Sequence, residues 1–277
     1  MMKMTALVEN KSDGTLGCEH GLSVYIEFNG RRLLLDTGTT GLYAHNAGKL
    51  GIDLSLVDTA ILSHAHYDHS GGYEEFFAVN TKAAVYLQAS CRENCYKISG
   101  LEHRYIGIPQ GLLEKYPDRF CYVSGDLDLG DGIHLVAHHT PDLDQRGAWA
   151  GMCRLADGQW VTDDFSHEQS LVLDTPKGLV IFNSCCHAGA DVIIREVEAR
   201  FPGRPVHAIV GGFHLKDVMN RGDDGAVQVR DLGNQLKAMA MPHIYTGHCT
   251  GSRAFAILKE VLGDRAHYFM TGDCVEL

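Results

Sequence analysis

Ile61-Leu62-Ser63-His64-Ala65-His66-Tyr67-Asp68-His69-Ser70-Gly71-Gly72 is the stretch around which the rest of the chain is organised. It packs three imidazoles and a carboxylate (His64, His66, Asp68 and His69) into six residues. A mostly apolar run, Leu56 to Leu62, leads in, and Gly71-Gly72 with an acidic, aromatic segment leads out. That order reads as a strand ending in a tight loop that opens a helix. His64 and His66, two positions apart, can grip one metal ion, with Asp68 and His69 turned toward a second. Imidazole mixed with carboxylate suits zinc, iron or manganese over calcium or magnesium. The alternative is a polar loop that happens to be rich in histidine. So dense a motif after a buried strand favours a metal site.

His64-x-His66-x-Asp68-His69 resembles the hallmark of the metallo-β-lactamase superfamily, and Asp36-Thr37-Gly38 after Leu33-Leu34-Leu35 is similar to that superfamily's first motif. Glu19-His20-Gly21-Leu22-Ser23, Arg104 to Pro109, Gly211 to Leu215 and Gly247 to Gly251 resemble a narrower group. That group is the dihydropteroate-synthase-like branch, usually labelled 7,8-dihydropterin-6-methyl-4-(β-D-ribofuranosyl)aminobenzene-5'-phosphate synthase. The likeness runs from about Thr5 to Leu277. It implies an α/β fold, an αβ/βα four-layer sandwich with helices outside two packed sheets, and says less about the reaction, because one fold hosts many.

Bulk properties narrow the classes. The 277 residues suffice for a sizeable core, and 45% hydrophobic with 21% charged residues is ordinary for a soluble globular protein. A net charge of −11 without a basic run argues against nucleic acid as the main partner. A small, anionic substrate stays compatible, since bound metals outweigh a diffuse acidic field locally. Met1-Met2-Lys3-Met4-Thr5 lacks a signal-peptide core, no run is long enough to span a bilayer, and nine cysteines form no framework. The expectation is a cytoplasmic protein with reduced thiols. Oligomeric state is not legible.

Along the chain, residues 4–8 and 22–28 read as strands, and Asn29-Gly30 turns the second into Arg31–Leu35. Helices are expected over 42–50 and 72–79, with a short strand over 83–88. From residue 133 come strands over 133–137, 158–162 and a hairpin over 170–182, then helices over 190–200, 226–240 and 252–262. No composition shift marks a linker, so the expectation is one domain over 1–277 with two pseudo-equivalent halves. Residues 89–125 break the rhythm and resemble an insertion capping the site. Cys91 and Cys95 are spaced for one helix face there, with buried or idle thiols the plain reading. Arg104 and Tyr105 are the candidates to meet a substrate phosphate.

The central motif supplies at most two ligands per metal, so the resemblance points to the second half for more. Asn183 to Gly189 stands where related enzymes carry a Thr-Gly-Asp turn whose Asp bridges two metals; Cys185 falls on that position and His187 follows. His248, after the strand over 242–246, resembles the superfamily's last ligand, while Cys249 beside it is expected to point elsewhere. Asp163 to Ser170 stands where a third histidine is usual; there Glu168 or His167 binds metal or orients a ligand. Asp36 matches an Asp that buttresses the loop and orients a ligating histidine. His214, after Gly211-Gly212, is a candidate hydrogen-bond or proton donor, with a satisfied core histidine the alternative. His138 and His139 read as a surface pair. His20, His45, His103, His134, His207, His243 and His267 receive no role.

Together these readings imply two divalent transition metals, zinc first and iron or manganese next. The reaction expected first is hydrolysis of a small phosphoester or lactone-like ester by a metal-bound hydroxide that Asp68 orients, with His214 or water protonating the leaving atom. The transferase implied by the branch ranks second. Stacking its two aromatic substrates would fall to Tyr96, Tyr105, Tyr116, Phe120 and Tyr122, with no Trp in the cap. A non-catalytic metal-binding sensor ranks third. A redox enzyme of the superfamily normally needs a flavin domain, and none is expected here.

Overall fold

A computed structural model describes residues 2–277. The chain divides into two compact units. The first comprises residues up to Asp126, Pro141–Gln169 and Met270–Leu277; the second comprises Leu127–Thr140 and Ser170–Phe269.

In the first unit a seven-stranded sheet runs in the order Cys274–Glu276, Met2–Val8, Ser23–Phe28, Arg31–Leu35, Thr59–Ile61, Val85–Gln88, Phe120–Val123. The first three pairings are antiparallel; the two among Met2–Val8, Ser23–Phe28 and Arg31–Leu35 are local, with Asn29-Gly30 making the tight turn at positive φ that an Asn-Gly pair accommodates. From Arg31–Leu35 onward the pairings are parallel. Thr59–Ile61 is fully buried, as a strand flanked on both sides by parallel partners should be. Ahead of it, Leu54–Leu56 forms a short 3-10 turn capped by the Asp53 side chain, so the strand is shorter than its apolar approach suggests.

Residues 89–125 are more than a cap. Cys95–Ser99 and Glu102–Tyr105 form a hairpin that joins Met152–Ala156 and Gln159–Thr162 in a separate four-stranded sheet. Phe120–Val123 then returns to the large sheet beside Val85–Gln88. Cys91 and Cys95 do not share a helix face: Cys91 lies in the loop after Val85–Gln88 and Cys95 opens a strand.

The second unit has its own seven-stranded sheet, in the order Ala266–Tyr268, His243–Thr246, Val206–Val210, Gly178–Phe182, Gln169–Thr175, Ile133–Ala137, Leu127–Asp128. Gly178–Phe182, Val206–Val210 and His243–Thr246 are parallel neighbours, and Gly178–Phe182 is buried throughout. The helices Ala190–Arg200, Asp223–Ala238 and Gly251–Leu262 fall close to their expected places. Among the described residues, no helix is long and apolar enough to cross a membrane.

Candidate metal centre

Parallel pairing decides what the first unit brings together. Arg31–Leu35 and Thr59–Ile61 end side by side, so Asp36 follows one strand and Ser63 to His69 follow the other. Asp36 N–H donates to the Ile61 carbonyl (2.9 Å), and its backbone takes φ 59° to turn the carboxylate back onto the neighbouring loop. One carboxylate oxygen accepts from Ser63 N–H (2.7 Å); the other accepts from Ser63 Oγ (2.7 Å) and faces His69 Nδ1 (2.7 Å). Ser63 Oγ also lies 2.8 Å from His64 Nδ1. The Nδ1 atoms of His64 and His69 are therefore both anchored, which directs Nε2 of each ring outward from the anchor. Metal-binding imidazoles are typically held in this way. The ring centroids of His64 lie 4.6 Å from His66 and 4.2 Å from His69.

Asp68 sits in the first turn of Tyr67–Ser70. Its Oδ2 is 3.2 Å from His20 Nε2 and 3.7 Å from His69 Nε2. His20, given no role from the sequence, thus stands on the Asp68 carboxylate. The motif Glu19 to Ser23 was the available signal, since Leu22 N–H also donates to the Asp68 carbonyl. Gly71 lets the loop close: a Cβ there would sit 2.0 Å from the Thr39 carbonyl oxygen.

Three other residues of this unit come to His66. His167 is wholly buried, accepts from Ala65 N–H at Nδ1 (3.2 Å), and meets Asp163 Oδ2 through Nε2 (3.1 Å). Ligand atoms of His66, Cys95, Asp163 and His167 all lie within 4.8 Å of one another. Of the pair weighed from the sequence, His167 and not Glu168 enters this cluster; Glu168 is buried, and its N–H donates to the Phe165 carbonyl. Gln169 fastens the strand end, donating from its backbone to Ser63 O (2.9 Å) and from its side chain to Leu62 O (2.9 Å).

Arg104 and Tyr105 line a cleft of about 450 Å³ together with Tyr67, Gly107, Pro109 and Gln110. The segment is laid against the central loop, with Tyr67 N–H donating to the Ile106 carbonyl (3.0 Å). Tyr105 donates its hydroxyl to the Ile108 carbonyl, so Arg104 is the cation left facing solvent there. Trp160 joins the aromatic residues counted from the sequence. It stacks on His103 (3.8 Å between centroids) and meets Tyr96 edge-on (4.9 Å).

The second unit gathers its candidates at the ends of its parallel strands. Asn183–Gly189 follows Gly178–Phe182, Gly211–Leu215 follows Val206–Val210, and Gly247–Thr250 follows His243–Thr246. Cys186, His214 and His248 all have φ near +50°, a cost that tertiary packing must cover. Gly211 lies at φ 145°, and a Cβ there would meet the Asn183 carbonyl oxygen at 1.8 Å. Cys185 Sγ lies within 4.8 Å of a ring nitrogen of His187 and of one of His248. The rings of His187 and His214 are 4.7 Å apart. Cys249 does not point away from these residues. Its Sγ is 3.4 Å from Cys185 Sγ and accepts from His214 N–H (3.3 Å). Burial would raise that thiol, but the Cys185 hydrogen bond and the neighbouring His248 and His214 imidazoles hold it well below the usual range. His138 is no surface residue either: its side chain is buried against Glu196 (2.9 Å).

The donor chemistry fits divalent transition metals. Imidazole, carboxylate and thiol groups are buried together, and two of the rings are already oriented by partners on Nδ1.

Residues 16–148 match the model of the metallo-β-lactamase superfamily. The chain is 28% identical over 260 residues to a 7,8-dihydropterin-6-methyl-4-(β-D-ribofuranosyl)-aminobenzene-5'-phosphate synthase of Methanocaldococcus jannaschii, covering 87% of this chain and 84% of that one. It is also similar to the crystal structure of a metal-dependent hydrolase of the β-lactamase superfamily. The TM-score is 0.82 at 27% identity, over 100% of this chain and 99% of the other. Zinc-bound PqqB from Methylobacterium extorquens shares the fold alone, with a TM-score of 0.58 at 11% identity over 99% of this chain and 100% of that one.

Proposed function

From a chain that carries a metallo-β-lactamase superfamily domain in a mixed α/β fold, we propose a metal-dependent hydrolase of a small, anionic phosphoester or lactone-like ester. The observation that carries this reading is the Asp36–Ser63–His64–His69 network, which holds two imidazoles by Nδ1 and directs Nε2 of each away from that anchor. His64, His66, Asp68 and His69 would hold metal in the first unit; His187, His248 and Cys185 are the ligand candidates of the second. When bound, two such divalent ions make water acidic enough to attack at neutral pH and polarise the substrate's oxygen. Zinc is the first candidate, then iron or manganese.

The chain's own residues do the rest. Asp36 fixes the tautomer of His69, and Ser63 relays the same carboxylate to His64. Asp68 presents an oxygen that His20 and His69 both face, suiting it to orient a nucleophilic water. Arg104 offers a guanidinium to a substrate anion in the 450 Å³ cleft. His214, whose ring nitrogens have no hydrogen-bond partner among the described residues, is the candidate proton donor.

A transferase is the second reading. The name of the Methanocaldococcus jannaschii relative favours it, and so does the aromatic patch of Tyr96, His103, Tyr105 and Trp160, a better platform for flat substrates than the sequence promised. Metal-loaded protein should be assayed with bis-p-nitrophenyl phosphate and a simple lactone, and in parallel with the pterin pyrophosphate and arylamine riboside pair. Hydrolysis that depends on His66 and Asp68, without coupled pterin product, is the result expected. Coupling above the rate without enzyme, and no hydrolysis, would reverse the order.

A further inference from the structure

Beside His66, the first unit buries three polar groups, Cys95, Asp163 and His167, that the hydrolase reading does not use. Cys95, Asp163 and His167 are each fully buried and His66 is nearly so. They arrive from three separate places: the central loop, the first residue of Cys95–Ser99, and the connection between Gln159–Thr162 and Gln169–Thr175, which supplies both Asp163 and His167. Burying a carboxylate, an imidazole and a thiol costs free energy that hydrogen bonds among themselves only partly return. Their chemistry is that of a mixed N, S and O site, with ligand atoms mutually within 4.8 Å. A tetrahedral ion with bonds of about 2.0–2.3 Å places its ligand atoms roughly 3.3–3.8 Å apart, so modest contraction suffices.

The surroundings assign each atom. Arg154 Nε lies 3.3 Å from Asp163 Oδ1 and Arg154 Nη2 2.6 Å from Asp164, so the guanidinium is taken up by the outer carboxylate oxygens. Asp163 Oδ2 then faces His167 Nε2 at 3.1 Å. That spacing allows both atoms to contact one ion in place of the proton they now share. Cys91 is the nearby thiol that is not a ligand. Burial pushes its pKa up to about 12, and its Sγ donates to the His167 carbonyl (3.4 Å).

We propose that His66, Cys95, Asp163 and His167 hold one divalent metal ion through two imidazoles, a thiolate and a carboxylate. The proposal rests on the metal-binding reading through His66, and adds a sulfur ligand from the hairpin strand Cys95–Ser99. Binding releases the Cys95 thiol proton to solvent and shifts the His167 ring proton from Nε2 to Nδ1, which gives up the Ala65 N–H contact; His167 then binds as neutral imidazole, and no oxidation state changes. Zinc fits this donor set best, since it accepts Cys, His and Asp in one tetrahedral shell.

Cobalt(II) exchanged into the whole protein reports the thiolate by a sulfur-to-metal charge-transfer band in the near ultraviolet. The band should persist in a Cys185→Ser, Cys249→Ser double variant and vanish when Cys95→Ser is added to it, and the affinity of that triple variant for one ion should fall at least ~10-fold. X-ray absorption of the zinc-loaded double variant, which leaves Cys95 in place, should show a zinc–sulfur shell at about 2.3 Å. Metal bound without any sulfur signature would overturn this proposal and leave the hydrolase reading standing. A band lost with Cys185 or Cys249 and kept without Cys95 would overturn it equally. Protein that takes up no cobalt or zinc at all would overturn both.

Discussion

Asp36 Oδ2 and His69 Nδ1 stand 2.7 Å apart with both side chains wholly buried, and the same carboxylate takes both donors of Ser63. One acceptor thus sets the orientation of His69 directly and of His64 through Ser63. Asp36→Asn keeps the shape but presents an N–H to His69 Nδ1, which moves the ring proton to Nε2, the nitrogen a metal requires bare. The expected outcome is a ~10–100-fold loss of metal affinity with the fold retained. Chelator competition read alongside circular dichroism checks it.

Gly71→Ala should destabilise the first unit by about 2–4 kcal/mol, because the added methyl meets the fixed Thr39 carbonyl at 2.0 Å. Gly48→Ala is the control. Gly48 lies inside the helix Leu42–Lys49 with open space at its Cβ position, and the change should stabilise by about 0.5–1 kcal/mol. Urea unfolding of both variants decides the matter.

Three histidines without a site role, His207, His243 and His267, lie on the neighbouring strands Val206–Val210, His243–Thr246 and Ala266–Tyr268 of the second unit. Burial pushes all three pKa values down. Proximity to His243 lowers His207 and His267 further, and Lys177 does the same to His243. The folded state therefore binds fewer protons than the unfolded chain as pH falls through and below about 6.5, the ordinary imidazole value. Stability present above that pH should be lost progressively below it, until the depressed folded values are passed. His243→Gln should flatten the acid side of a Tm-against-pH curve; an unchanged slope would remove these residues from the account.

Arg104→Ala should raise KM for an anionic ester about 10-fold with kcat little changed, as expected for loss of a charge-assisted contact in the cleft. The increase should shrink for a neutral lactone. Steady-state kinetics on both substrates make the comparison.

The ends of the parallel strands were the legible part of the chain. Asp36, His64 to His69, His187 and His248 all follow short buried runs, and such runs carry their own signal in apolar content and in the glycines that close the turns. The hairpin Cys95 to Tyr105 was not legible. Its strands are short and largely exposed, and Cys95–Ser99 pairs with Met152–Ala156, some fifty residues away, which local periodicity does not encode. That long-range pairing separates Cys95 from the helix face its spacing to Cys91 suggests, and it brings Trp160 to Tyr96. Cys249 was misplaced for a related reason. Alternation along an extended chain turns neighbours apart, whereas His248–Thr250 is a 3-10 turn with His248 at positive φ.

The most direct test of the central claim is metal content. Protein purified without chelator, or stripped and reloaded with zinc, iron or manganese, should retain about two ions per chain, as dinuclear hydrolytic sites do. His66→Ala and Asp68→Ala should each lower that number and abolish hydrolysis of bis-p-nitrophenyl phosphate. A chain that binds none of the three metals after reloading, or hydrolyses equally well when stripped, would contradict the account.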